Sequence, residues 1–204
     1  MAQTPERSPE RDAAIAAMLP NVPFDGWTRR SLRRGLTDIG LAAEEADTLF
    51  PGGASDMIEA FCDWADRNMI EGAGGLDPAM RLHQRVRAAI ALRLEQNRPF
   101  KEAIRRALAQ LALPGNARLA AVCTARTVDA IWHAAGDQSA DFSWYTKRAI
   151  LAAVYSATVL YWLRDTSEDD AATLAFLDRR LSGVARFGSV RRRAESAFRR
   201  LRPA

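Results

Sequence analysis

The sequence lacks several features that would assign it to a class at once. Its two cysteines, Cys62 and Cys123, are too few for a disulfide framework and have no CxxC or CxxH neighbours, which disfavours a zinc site. No apolar run reaches the roughly 20 residues that a membrane-spanning helix needs. The first residues contain no apolar segment typical of a secretion signal. These absences favour a folded protein of a reducing cytoplasm.

Catalytic motifs are equally scarce. The only two histidines, His83 and His133, lie fifty residues apart, and neither belongs to the Glu-x-x-His motif of di-iron bundles. The chain has no phosphate-cradling glycine loop and no GxSxG motif. Because His133 follows an apolar helical segment, we interpret it as a core or pocket histidine. We therefore predict a protein that is not an enzyme, with no catalytic residue, metal ligand or cofactor.

Abundant alanine defines the fold class. The chain has 39 alanines and few β-branched runs, and long 3.6-residue periodicities predict an all-α protein of about ten helices. The predicted helices span residues 8–18, 27–39, 43–49, 54–71, 78–96, 100–112, 116–135, 142–164, 169–185 and 188–201. They form a helix-turn-helix-like head at 8–50, a larger helical body at 54–185 and a basic C-terminal helix at 186–204. A small three-helix head on a larger helical body resembles the layout of TetR-type regulators.

The head has the order of a DNA-binding domain but not its charge. Its second-helix position, residues 41–48, carries three carboxylates and no cation, whereas a recognition helix binds beside phosphates. Four arginines, at 29, 30, 33 and 34, lie one helix earlier. We therefore expect no nucleic-acid partner, and a TetR-type transcription regulator with a hydrophobic effector is the alternative function. A lipid-modifying enzyme is a third possibility, disfavoured by the missing catalytic motif.

The most apolar segment, residues 149–163, carries a stripe of small side chains. Such a stripe permits close helix packing, including a dimer seam, or it lines a long apolar cavity. Both interpretations stay open at the level of sequence. The candidate pocket residues are Ala149, Ala152, Ala153, Ser156, Ala157 and Leu160.

The C-terminal segment concentrates positive charge. Between Arg186 and Arg202 lie seven arginines and one acid, Glu195, and apolar residues recur there at three- or four-residue steps. A helix with an apolar face and a cationic face suits an anionic membrane surface. The candidate membrane-binding residues are Phe187, Val190, Arg191, Arg192, Arg193, Phe198, Arg199, Arg200 and Leu201.

Several segments resemble one known family. Residues 136–148, GDQSADFSWYTKR, look like the signature of the accessory lipid-binding proteins of ubiquinone (coenzyme Q) biosynthesis, which have a TetR-like fold. Residues 128–132 and 176–181 resemble flanking family segments, and residues 22–27 and 49–52 match the N-terminal part. The resemblance covers roughly residues 10–185 in order.

The resemblance implies a homodimer, with an apolar pocket for an isoprenoid quinone or another apolar lipid in the body and a C-terminal amphipathic helix that touches membranes. It also implies a partner, the di-iron demethoxyubiquinone hydroxylase, to which the family presents the quinone intermediate without doing the chemistry. The partner-binding residues that it implies are Trp144, Tyr145, Asp129, Ile131 and Trp132. Eukaryotic members carry a mitochondrial targeting segment that is not recognisable here. We therefore expect a bacterial form, cytoplasmic and peripheral on the inner face of the cytoplasmic membrane.

Overall fold

The protein is helical throughout the part of the chain that the structure, a computed structural model, describes: residues 5–137 and 144–183. The helices are α1 (Pro9–Met18), α2 (Val22–Asp25), α3 (Arg29–Asp38), α4 (Glu45–Leu49), α5 (Ala54–Ala73), α6 (Leu82–Gln96), α7 (Lys101–Leu111), α8 (Ala117–Ala134), α9 (Trp144–Trp162) and α10 (residues 171–183). Within these residues there is no β-strand. The predicted all-α fold class is therefore confirmed, while the helix predicted at 188–201 lies outside the described residues.

Local chemistry explains where individual helices begin. The Thr28 side chain accepts a hydrogen bond from the backbone N–H of Ser31, so α3 begins at Arg29 and not at residue 27 as predicted. Short α2 was not predicted, and it ends at Gly26, whose φ of +72° suits glycine. The helix predicted from residue 169 begins only at 171, because Asp169 and Asp170 both have positive φ.

The chain divides into two compact units, Met1–Ser139 and Ala140–Ala204. In the first unit, the helices of the predicted head share one hydrophobic core with α5 and α7. Leu32, Leu36 and Met57 are fully buried in this core. Trp27 donates a hydrogen bond from its indole Nε1 to the carbonyl oxygen of Ala103 at 2.9 Å, which ties the head to α7. The structure thus divides the chain at a different place from the predicted boundary near residue 50.

Ion pairs join α1 to α5 beside this core. Arg67 on α5 reaches Asp12 at 2.6 Å and Asp63 at 3.0 Å. Arg11, which is nearly buried, pairs with Asp56 at 2.6 Å and lies over the Phe50 ring at 4.2 Å. These ion pairs join charges of α1 to charges of α5 within the chain.

Gly35 permits the close approach of α1 and α3. A Cβ at this position would lie 2.7 Å from the backbone of Ala17 and Met18, closer than real Cβ contacts. Any larger residue would therefore force the two helices apart.

The second unit contains α9 and α10, joined by a turn that Asp165 organises. Its Oδ2 accepts hydrogen bonds from Thr173 N at 2.7 Å and Thr173 Oγ1 at 2.6 Å, and its Oδ1 accepts one from Ser167 N at 2.8 Å. These bonds hold the pKa of Asp165 well below its usual range even though partial burial opposes the shift. The rings of Tyr161 and Phe176 then stack at 4.6 Å between the two helices.

Candidate functional site

The first two turns of α9 carry two aromatic rings in contact with each other and a cation, which we call the aromatic patch. The Arg148 guanidinium lies 3.7 Å from the centre of the Trp144 ring, and Tyr145 meets Trp144 edge to face at 4.7 Å. Tyr145 is 77% exposed, whereas Trp144 is half-buried. Exposed aromatic side chains beside arginine are the composition typical of protein-binding hot spots. Arg148 was not among the predicted site residues, although its i+4 spacing from Trp144 could have suggested this contact.

The remaining predicted partner-binding residues lie on α8, in the other unit. Asp129 is exposed and Trp132 is half-buried, so both can offer atoms to a partner. Ile131 has no exposed surface and packs in the interior, so we no longer count it among residues that touch a partner directly. Since α8 and α9 belong to different units, a joint patch of all five residues stays a prediction.

The opposite faces of α9 differ in burial. Leu151, Val154, Thr158 and Trp162 recur at three- or four-residue steps and are buried. Four of the predicted pocket residues, Ala149, Ala153, Ser156 and Leu160, lie on another side and are exposed, and we call them the small-residue face. The other two, Ala152 and Ala157, are half-buried.

An exposed row of small side chains is more typical of a helix seam than of the wall of an enclosed cavity. Leu160 is 59% exposed, and Ile150 and Tyr161 beside the row are also exposed. Contiguous exposed apolar surface of this kind marks a binding surface. The placement favours the packing-seam interpretation of the stripe, and the assignment of these residues to a lipid pocket stays a prediction.

Three of the four arginines of α3 lie beside carboxylates. Asp47 on the five-residue helix α4 binds Arg29 at 2.6 Å and Arg33 at 2.7 Å. Arg30 lies 3.4 Å from Asp25. A phosphate backbone would have to compete with these carboxylates for the same cations. The ion pairs are therefore a second argument against DNA binding by the head, beside the acidic composition of the second-helix position.

A buried polar cluster between α5, α6 and α8 was missed at the level of sequence. The Arg93 guanidinium lies 3.0 Å from Asp66 Oδ1, and Thr127 Oγ1 donates to Asp66 Oδ2 at 3.1 Å. All three side chains are buried. Burial raises the pKa of Asp66 to about 6, although the Arg93 charge and the Thr127 hydrogen bond oppose the shift. The signal that could have revealed the cluster is one charge of each sign inside the apolar stripes of two helices.

The histidines are more exposed than the sequence predicts. His133 is exposed, so its interpretation as a core or pocket histidine is wrong: it lies on the outer side of α8, while Val128 and Ile131 take the buried side. His83 is exposed as well. In residues 5–137 and 144–183, no three His, Cys, Asp or Glu side chains are grouped to hold a metal ion. Over the same residues no helix is long and apolar enough to cross a bilayer.

The predicted membrane-binding residues, from Phe187 to Leu201, lie outside the described residues, as does the loop at 138–143.

Comparison with known proteins places the chain among relatives. The COQ9 family model matches residues 117–188. The ubiquinone biosynthesis protein COQ9 of Rattus norvegicus is 33% identical over 190 residues, covering 89% of this chain and 61% of the relative. Its Homo sapiens counterpart is also 33% identical, over 89% of this chain and 59% of the relative. The chain therefore spans about 60% of the length of these two relatives.

A more distant relative and a solved structure extend the comparison. The coq9 protein of Schizosaccharomyces pombe is 30% identical, over 93% of this chain and 75% of that protein. The crystal structure of a TetR transcriptional regulator from Nitrosomonas europaea superposes with a TM-score of 0.69 at 22% identity, covering 87% of this chain and 99% of the regulator. At that identity the likeness shows the fold alone, and it confirms the predicted TetR-like fold.

The relatives contradict one prediction. All three COQ9 proteins are named as mitochondrial, so the expectation of a bacterial form on the cytoplasmic membrane is wrong. The expectation depended on the first residues of a chain that spans only part of its relatives, and such residues carry no information about a targeting segment.

Proposed function

Because the chain belongs to the COQ9 family of ubiquinone biosynthesis proteins, we propose that it acts in ubiquinone biosynthesis as a non-enzymatic lipid-binding accessory protein. In this role it binds an isoprenoid quinone intermediate and presents it to the di-iron demethoxyubiquinone hydroxylase. The hydroxylase does the chemistry, and this chain supplies the lipid and the docking surface.

The aromatic patch is the observation that carries the proposal. Tyr145 offers an exposed ring, and the Arg148 guanidinium at 3.7 Å holds the Trp144 ring against it. A preorganised aromatic pair loses little conformational entropy on binding and buries a large apolar area. Asp129 and Trp132 on α8 are further candidate contacts for the hydroxylase. This arrangement supports docking through a few dominant side chains.

The small-residue face supports a homodimer. Ala149, Ala153, Ser156 and Leu160 present an exposed surface whose small side chains let a second helix approach closely. A second copy of the chain brings an identical face and satisfies the symmetry of a two-fold contact. Burial of this apolar surface contributes roughly 25 cal/mol per Å² removed from water.

Lipid capture also depends on the removal of apolar surface from water. An isoprenoid tail is almost entirely apolar, so moving it from water or a bilayer edge into an apolar site favours binding in proportion to the area covered. We propose that the basic segment at 186–204 brings the protein to an anionic membrane surface where such lipids reside. Each arginine there contributes on the order of 1 kcal/mol near the surface.

Docking is tested by measuring affinity for the purified hydroxylase. Trp144→Ala and Tyr145→Ala should each weaken binding by at least about tenfold, as truncation of a hot spot does. Phe24→Ala is a matched control, because Phe24 is an aromatic side chain that is 80% exposed in the first unit. If both patch variants bind as tightly as the wild type, this surface is not the docking site.

Lipid binding is tested by native mass spectrometry of protein incubated with vesicles that contain demethoxyubiquinone. A dimer carrying the quinone is the expected species. Protein that takes up only phospholipid would contradict the choice of ligand. Deletion of 186–204 should reduce flotation with anionic vesicles, and unchanged flotation would remove the proposed role of that segment.

The regulator alternative predicts salt-dependent binding to duplex DNA. Asp47 already neutralises Arg29 and Arg33 at 2.6 and 2.7 Å, so we expect no specific complex at physiological salt. Retention of a defined operator fragment by the purified protein would favour the regulator instead.

A further inference from the structure

Two contacts hold α5 and α8 in a constant register. Ser55 Oγ lies 3.5 Å from Asn116 Oδ1, just before α8, and Thr127 Oγ1 donates to Asp66 Oδ2 at 3.1 Å. Each pair is separated by 61 residues in the sequence. Equal separations at two points mean that the helices run parallel and stay in step between them.

Cys62 and Cys123 are also 61 residues apart and lie between these two contacts. Cys62 follows Ser55 by two helical turns and precedes Asp66 by about one, so these side chains share one face of α5. The register therefore places the two cysteines opposite each other on neighbouring helices. Both cysteines are free thiols.

The surroundings distinguish the two sulfur atoms. The interaction with the Cys62 thiol lowers the pKa of Cys123, and the positive charge of Arg126 acts in the same direction, although burial and Glu59 oppose the shift. The interaction with Cys123 and burial both raise the pKa of Cys62. Cys123 thus forms the thiolate, the nucleophilic form of cysteine, more readily than its neighbour. Cys62 is partly buried and Cys123 is buried.

We propose that Cys62 and Cys123 form a redox-active dithiol, which hydrogen peroxide converts into a disulfide between α5 and α8. The Cys123 thiolate attacks peroxide, forming an S–O bond as the O–O bond breaks, and the released hydroxide takes a proton to become water. The Cys62 thiol then attacks the sulfenic acid, forming the S–S bond as the S–O bond breaks. The departing hydroxide takes the Cys62 proton and leaves as the second water. The two thiols are oxidised by two electrons, and the peroxide is reduced to two waters.

The disulfide fixes two helices that carry different parts of the molecule. Met57 and Phe61 on α5 belong to the core shared with the head, and α8 carries the exposed candidate contact residues Asp129 and Trp132. Oxidation closes the segment between residues 62 and 123 into a covalent loop. The disulfide reduces the conformational freedom of the unfolded chain and limits any sliding of α5 against α8. This inference does not depend on the proposed role in ubiquinone biosynthesis.

The test uses the full chain, reduced, freed of reductant and exposed to a small molar excess of hydrogen peroxide. After quenching, denaturation and alkylation with iodoacetamide, the oxidised protein should carry no alkylated cysteine and should have lost two hydrogens in mass. Dithiothreitol should restore both alkylation sites. The melting temperature of the oxidised form should rise by about 5–10 °C.

Single substitutions separate the roles of the two thiols. Cys62→Ser should stop the reaction at a sulfenic acid on Cys123, trapped by dimedone, while Cys123→Ser should leave a thiol that reacts at least about tenfold more slowly. The proposal is overturned if both wild-type thiols are still alkylated, or if the only disulfide joins two chains on a non-reducing gel. Since the wild-type measurement needs no substitution, it decides the question even if a variant misfolds.

Discussion

Helices α5 and α9 have nearly equal lengths, 20 and 19 residues, but they use their surfaces in opposite ways. On α5, Asp56, Asp63, Asp66 and Arg67 all find charged partners within the chain. On α9, the last charged residue is Arg148 in the second turn, and the exposed positions beyond it are alanine, serine and large apolar residues. A helix whose polar groups are satisfied internally supports a fold, whereas a helix with an exposed apolar face is suited to binding another molecule.

The largest expected effect comes from breaking the buried ion pair of α5. Arg93→Met leaves the Asp66 carboxylate without the counter-charge that now lies 3.0 Å away, which should lower the free energy of unfolding by about 3 kcal/mol at pH 7. Urea denaturation measures this loss. The control is Arg106→Met, which removes a half-exposed pair with Glu102 and should cost less than about 1 kcal/mol. Equal losses in the two variants would show that burial does not set the importance of an ion pair here.

A charge on the small-residue face should separate association from folding. Ala153→Glu places two introduced carboxylates close together in the proposed dimer, so we expect the dissociation constant of the dimer to rise at least about 100-fold. Because Ala153 is exposed and does not pack in the core, the free energy of unfolding of the single chain should change by less than about 0.5 kcal/mol. Sedimentation equilibrium measures the first quantity and urea denaturation the second. Ala109→Glu, at an exposed position of α7, is the matched control, and a dimer equally weakened by both changes would contradict a seam on α9.

The buried carboxyl of α5 also predicts a pH dependence. Burial raises the folded-state pKa of Asp66 from an ordinary 3.8 to about 6, so the folded state binds an extra proton between these values. The stabilising contribution is therefore fully present below pH 3.8 and is lost as the pH rises through 6. Wild-type stability should gain about 1 kcal/mol from this site between pH 7 and pH 5. Asp66→Asn should lack that gain, and parallel pH profiles for the two proteins would contradict it.

The smallest expected change in stability comes from the aromatic patch. Arg148→Gln removes the cation that lies 3.7 Å from the Trp144 ring, at a cost of about 1 kcal/mol or less. Hydroxylase affinity should fall several-fold, because the Trp144 ring loses the contact that orients it. Lys147→Gln removes the same charge one residue away and should leave the affinity nearly unchanged. A similar loss in both variants would indicate that net charge, and not ring orientation, matters.

The pattern of α9 shows how far sequence reasoning reached. The sequence predicts one stripe of small residues at 149, 153 and 157, with 152 and 156 beside it, because a 3.6-residue period makes them neighbours in any helix. Whether that stripe faces a cavity or the surface depends on what packs against the helix, which periodicity does not encode. The burial of Ile131, which was predicted to contact a partner, could not be foreseen for the same reason, since it is decided by the neighbours of α8.

The sequence does not show which distant residues meet. Asp66 and Arg93 are charges inside apolar stripes, which indicates burial, but only packing brings them and Thr127 together. The same holds for Cys62 and Cys123, whose separation of 61 residues has no meaning until α5 and α8 are known to lie side by side in step.

The sequence by itself determined the helical class of the protein, the approximate bounds of most helices and the family, because propensity, capping and motif resemblance are local properties of the chain. Only the tertiary structure decided which charges are satisfied internally, which face of α9 is exposed and which thiols meet. These outcomes depend on the packing of segments far apart in the sequence, and burial changes the energy of a charge or an apolar surface far more than any local preference does.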